Sequence, residues 1–175
     1  MISQRRITDY VDSIGHSTAM DEADMRQLVS FAIREQNYCV DILAVREIRM
    51  WNGATILPNS PDYIRGVINL RGTIVPVVDL RMRFGLGLTE TTAGHVVVIV
   101  AVDTTQIGLL VDSVSDIITV CKKDIADIPQ IEGEEQNPFF LGLITGQESL
   151  TALISLKEIL FHRSSDFQST ATQAA

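Results

Sequence analysis

The side chains in this sequence best equipped for chemistry are arginines. Arg65, Arg71, Arg81 and Arg83 crowd between Arg65 and Arg83, where Asp79 is the sole acid. A planar guanidinium pairs with carboxylate or phosphate through two parallel hydrogen bonds, so such a cluster reads as a recognition surface. Catalysis would need a different constellation. His16, His95 and His162 are far apart in the chain, and no G-x-S-x-G, H-E-x-x-H, C-x-x-C or phosphate-loop pattern occurs. Cys39 and Cys121 have no neighbours at metal-ligand spacing. Gly85–Glu90, "GLGLTE", lacks the Lys-Thr that a phosphate loop requires and reads as a hairpin turn. Asp79, Asp112 and Asp116 stand at strand ends, where turn and cap chemistry explains them. The expectation is a protein that is not an enzyme and holds no metal or cofactor.

Nucleic-acid phosphates are excluded as the target of these arginines. The 175-residue chain carries a formal net charge of −8, which repels polynucleotides and anionic membrane surfaces alike. The longest apolar run, Val96–Val102, is "VVVIVAV"; a membrane-crossing helix needs about 20 residues. Acidic residues dominate from Phe84 to Leu160, so a basic belt in the first half faces an acidic second half. Charge polarity of this kind orients protein partners. A cytoplasmic protein with both thiols buried is expected.

The elements that must carry these residues are strands. "LVSFAI" and "YCVDILAV" flank the polar "REQN", and "VVVIVAV" and "IGLLVDSV" flank "DTTQ". Pro76, within "TIVPVVDL", predicts an edge strand or a bulge. One helix is expected, over "SLKEILFHR", with Leu156, Ile159 and Leu160 on one face. Residues 1–27 read as a mobile arm and residues 162–175 as a disordered tail.

The pattern occurs twice. Leu28–Arg49 aligns without a gap on Val97–Ile118, placing Glu47 on Asp116 and Ile48 on Ile117. Gly66–Phe84 aligns without a gap on Gly142–Leu160, placing Val77 on Leu153 and Leu80 on Leu156. The second copy has extra residues around "PQIEGEEQNP". Repeat units of about 28–84 and 97–160 predict an all-β protein. It would comprise two small five-stranded β-barrels from an internal duplication, packed on a shared hydrophobic core, with one short C-terminal helix. Which strands close which barrel stays open. In the alignment Arg71 and Gly72 fall opposite Gln147 and Glu148, all hydrophilic but for the glycine, which predicts a hairpin apex there.

"CVDILAVREIRMW", "GVINLRGTIVPVVDLRMRFG" and "IGLLVDSVSDI" resemble the signature blocks of the CheW family, the adaptors of bacterial chemotaxis arrays. The resemblance spans about residues 28–161. It implies a non-catalytic scaffold that couples methyl-accepting chemoreceptors to the regulatory domain of the histidine kinase CheA, with possible CheW–CheW or CheW–CheA rings. It also implies recruitment from the cytoplasm to membrane-bound receptor arrays. Receptor binding is implied for Val45, Glu47, Gly66, Asn69, Leu70 and Arg71. Kinase binding is implied for Ile128, Pro129, Gln130 and Ile131, where the family often has an aromatic at the last position. Glu47 and Arg71 are expected to lie together beside an apolar groove between the barrels. Two other readings compete: a small-molecule-binding β-barrel, and a CheW-like module of another two-component system.

Overall fold

A computed structural model describes residues 24–133, 136–146 and 149–162. The arm and tail expected at the chain ends lie almost wholly outside these residues. In the first half the strands are β1 (Met25–Ile33), β2 (Gln36–Asp41), β3 (Val45–Met50), β4 (Ile64–Leu70) and β5 (Thr73–Asp79), followed by helix α1 (Leu80–Arg83). In the second they are β6 (Val96–Val102), β7 (Thr105–Val111), β8 (Ser113–Cys121), β9 (Ile125–Ala126), β10 (Phe140–Thr145) and β11 (Leu150–Ile154), followed by α2 (Leu156–Phe161). Two sheets result. The first has the order β8-β1-β2-β11-β10-β9 and the second β3-β6-β7-β5-β4.

The duplication is visible strand for strand. Replacing each strand by its counterpart in the other repeat converts the second order into β8-β1-β2-β11-β10, which is the first sheet without β9. Registers follow suit. Val77 faces Gly108 in the parallel β5–β7 ladder, and Leu153 faces Cys39 in the parallel β11–β2 ladder. Irregularities are copied too: the ladder shifts between Ile64 and Gly66, and again between Phe140 and Gly142. The sheets nevertheless do not follow the repeats. Each combines the first two strands of one repeat with the remaining strands of the other, three in the five-stranded sheet and four in the six-stranded one, so β1 and β2 are exchanged for β6 and β7.

This exchange builds one shared core. Val29, Phe31, Tyr38 and Val40 from one sheet pack with Val98, Val100, Ile107 and Leu109 from the other, together with Leu80 and Ile159 from the helices. Each such buried aliphatic or aromatic side chain contributes about 1.5–3 kcal/mol.

Local departures have local causes. Strand does not continue through "DILAV": the Asp41 carboxylate accepts the Leu43 amide at 2.9 Å and Ile42–Ala44 turns as a 3-10 segment. β5 is not an edge, since it lies between β7 and β4. Pro76 is tolerated one residue before the β7 ladder begins at Val77. "GLGLTE" is not a hairpin turn either. It starts the crossover from α1 to β6, and β7 separates β5 from β6. The buried Asp79 fixes that crossover: Oδ1 accepts the Met82 amide at the start of α1 and the Thr89 hydroxyl at 2.6 Å, while Oδ2 accepts the Thr89 amide.

Candidate functional site

β3 and β4 are the two edges of the five-stranded sheet, and the chain brings them together. Thr55, in the segment between them, forms a bridge with Val67. Farther along, Arg71 Nη2 lies 3.2 Å from Glu47 Oε2, and Arg49 Nε lies 3.6 Å from Glu47 Oε1. The ion pair thus bridges a seam between β3 and the β4–β5 turn. Its position follows from the β4–β5 turn: Arg71 and Gly72 both take positive φ, 50° and 88°, and the Gly72 amide donates to Asn69 Oδ1 at 2.7 Å. Two positive-φ residues suit the right-handed twist of a tight hairpin. The expected apex is there, and Arg71 stands out from it with 80% of its side chain exposed.

The six residues implied for receptor binding divide by burial. Glu47, Asn69 and Arg71 present polar groups, and Val45 is half-buried against the shared core. Leu70 is buried in the core of the five-stranded sheet. Gly66 is buried with φ 137°, and a Cβ there would sit 2.2 Å from the Thr55 carbonyl oxygen. These two therefore shape the seam from below. Apolar side chains at the surface come from Ile48, Met50 and Ile74, which are respectively 47%, 63% and 62% exposed. Beside Asn69 the five-stranded sheet opens into a groove. It is a cleft of about 440 Å³ at the seam of one sheet, lined by Arg49, Trp51, Ala54, Val67, Ile68 and Asn69 among others.

Ile128, Pro129, Gln130 and Ile131 lie in the connection between β9 and β10, and so belong to the other sheet. Ile128 is half-buried and the rest are exposed, Ile131 by 66%. A second open cleft, about 720 Å³, begins at Ile128 and Gln130 and runs past Phe140 and Leu141 to Glu158 and His162. Glu132 is exposed beside Ile131; Glu134 and Glu135, expected to border the same patch, lie outside the described residues.

The basic belt is smaller than the sequence suggests. Arg83 is buried and Arg65 half-buried, with Arg65 Nη1 4.0 Å from Asp79. Arg83 lies over the ring of Tyr63 at 4.0 Å and that of Phe139 at 4.9 Å. It donates to the main-chain oxygens of Ile159 (3.0 Å), Glu158 (3.3 Å) and His162. Burial lowers its pKa, partly offset by Tyr63. A guanidinium so enclosed ties α1 to the end of α2 and is not available to a partner.

Among the described residues no group of three or more His, Cys, Asp or Glu side chains could hold a metal ion. Burial pushes the Cys39 thiol up to about 12, far from a reactive thiolate. His95 is engaged structurally, with Nδ1 accepting the Thr92 amide and Nε2 3.4 Å from Asp112. Among the described residues, no helix is long and apolar enough to cross a membrane.

The family model described as "CheW-like domain" matches residues 27–164. The chain is 41% identical over 134 residues to the chemotaxis protein CheW of Rhizobium meliloti, covering 77% of this chain and 86% of that protein. It is 40% identical over 150 residues to the probable chemotaxis protein CheW of Rhizobium etli, covering 86% and 92%. The crystal structure of the scaffolding protein TtCheW from Thermoanaerobacter tengcongensis superposes with a TM-score of 0.71 at 30% identity, over 78% of this chain and 92% of that one.

Proposed function

This chain belongs to the CheW-like family of non-catalytic chemotaxis adaptors, and we propose that it joins chemoreceptor cytoplasmic tips to the regulatory domain of the kinase CheA. The observation that carries this reading is the Glu47–Arg71 pair across the β3–β4 seam. As an exposed ion pair it contributes about 0–1 kcal/mol to stability. Its strand makes it more useful as a contact: the exposed Ile48 and Met50 alternate with Glu47 and Arg49 along β3, so this edge offers a charged face and an apolar face. Such a mixture suits an amphipathic receptor helix.

The kinase contact is assigned to Ile128, Pro129, Gln130 and Ile131. An isoleucine 66% exposed in a connecting segment supports an interface there better than a packing role. Because the two surfaces sit on different sheets, both partners can be held at once. Val45, Gly66 and Leu70 act from beneath the first surface, shaping it for Glu47, Asn69 and Arg71. In the cell, the protein would be drawn from the cytoplasm to receptor arrays by these contacts, and could enter rings with CheA or further copies of itself.

Co-sedimentation with a receptor signalling fragment and CheA tests the proposal. The expected result is that kinase enters the receptor pellet only when this protein is added. Kinase recovery that is independent of it would contradict the adaptor role.

A further inference from the structure

The duplication supplies an internal control for the seam cleft. In the six-stranded sheet, the place equivalent to that cleft is filled. Ile125 packs there with Leu28, Ile144, Leu153, Ile118 and Val120. In the five-stranded sheet the counterparts of Leu28, Ile144, Leu153 and Val120 are Val97, Ile68, Val77 and Trp51, which form the equivalent small core. The counterpart of Ile125 is Ala54. The bulge glycines establish this match: a Cβ on Gly142 would meet Ile125 Cγ2 at 2.6 Å and the Ala126 carbonyl oxygen at 2.9 Å, whereas one on Gly66 would meet the Thr55 carbonyl oxygen and Ala54 Cβ at 3.2 Å. The neighbouring bridges, Thr55 with Val67 and Ala126 with Leu143, coincide as well. Where one sheet inserts a branched aliphatic side chain, the other has a methyl group and an open cleft of about 440 Å³.

Charge marks what enters. The chain as a whole is strongly acidic, yet the one charged side chain lining this cleft is Arg49, which shares the Glu47 carboxylate with Arg71. We propose that the cleft is a slot for one branched aliphatic side chain of an acidic partner segment, seated against Ala54 as Ile125 is seated in the other sheet. The inference deepens, and rests on, the receptor-binding reading of the β3–β4 edge. Specificity follows from both parts: the slot selects the side chain, and the Arg49 guanidinium favours a flanking carboxylate.

The test fills the slot from within. Ala54→Ile places at the seam a residue that the sister sheet already accommodates, so the thermal midpoint should not fall. Two probes are titrated: the peptides Ac-Glu-Glu-Ile-Glu-Glu-NH2 and Ac-Glu-Glu-Ala-Glu-Glu-NH2, followed by the NMR signals of the Ala54 methyl and Trp51 indole, and a receptor cytoplasmic-tip fragment. In the parent the isoleucine peptide should shift both signals and the alanine peptide should bind several-fold more weakly. In Ala54→Ile the Trp51 shift should vanish, and affinity for the receptor fragment should fall about tenfold or more. Equal binding of the two peptides, absence of shifts with either, or a Trp51 shift unchanged by Ala54→Ile would overturn the slot. Loss of the peptide shift with undiminished receptor binding would keep the slot and remove the receptor from it. Should Ala54→Ile not fold, Ala54→Val carries the same comparison.

Discussion

Arg83 donates from Nε to the main-chain oxygen of Ile159 across 3.0 Å, and the two residues hold the same place in the two repeats. Tyr63 and Phe139, whose rings enclose the guanidinium, are likewise counterparts. The halves thus meet through equivalent positions with unequal chemistry. One supplies a cation, and the other supplies the carbonyls at the end of α2. The Glu158 oxygen also accepts the His162 amide, so the guanidinium adds to the helix cap, and a buried donor is worth more here than at the surface.

Replacing Arg83 with Met should destabilise the fold by about 2–4 kcal/mol, since it removes hydrogen bonds from a charged donor, the one to the buried Ile159 oxygen among them. Denaturant unfolding measures this directly. Arg83→Lys should recover only part of the loss, because an ammonium cannot lie flat between two rings while reaching three oxygens.

The seam depends on the absence of one Cβ. Gly66→Ala introduces an atom 2.2 Å from the Thr55 carbonyl oxygen at a φ of 137°, so the Thr55–Val67 bridge must open. A loss of about 2–4 kcal/mol is expected, with early amide exchange at Thr55 and Val67. Gly72→Ala faces open space at a φ of 88°. It should cost less, about 1 kcal/mol, from backbone conformation alone.

Alkali should weaken the protein in a defined window. The ordinary pKa of the Cys39 thiol, 9.0, is raised to about 12 by burial. Below pH 9 both folded and unfolded thiols are protonated and stability is unaffected. Between pH 9 and 12 the unfolded thiol ionises while the folded one does not, so stability falls as pH rises. Tyr38, also raised by burial, adds to the same trend above pH 10. Denaturation midpoints across this range should decline, and Cys39→Ala should decline less steeply. An equal slope in the variant would show that Cys39 does not contribute.

Much of the fold is legible in the residues themselves. The apolar alternation and two gap-free alignments anticipate the paired strands, and the register of Val77 with Gly108 repeats that of Leu153 with Cys39. The exchange of β1 and β2 for β6 and β7 is not legible, because both repeats contain equally apolar strands and sheet partners are chosen over long range. α1 has four residues, too few for helical periodicity to register. Pro76 reads as an edge residue because the sequence cannot show that the β7 ladder starts only at Val77.

The candidate site divides in the same way. A hairpin at Arg71-Gly72 and its closeness to Glu47 are anticipated from the alignment and the family resemblance. Burial of Arg83 is hidden, since an arginine in a basic run reads as solvated until its carbonyl partners are known. The cleft's location is hidden as well. It turns on Ala54 standing where the other repeat has Ile125, in the connecting segment that the alignments do not cover.

The adaptor account turns on two separable surfaces, and titrating two variants against two partners tests it most directly. Arg71→Glu, at a side chain 80% exposed, should change stability by no more than about 1 kcal/mol. It should weaken receptor-fragment binding by about 30-fold or more, as reversing an interfacial charge does, while leaving the kinase regulatory domain bound. Ile131→Ser should do the opposite: kinase binding falls, while receptor binding and the thermal midpoint hold. Equal losses for both partners in either variant, or no loss in both, would contradict the account.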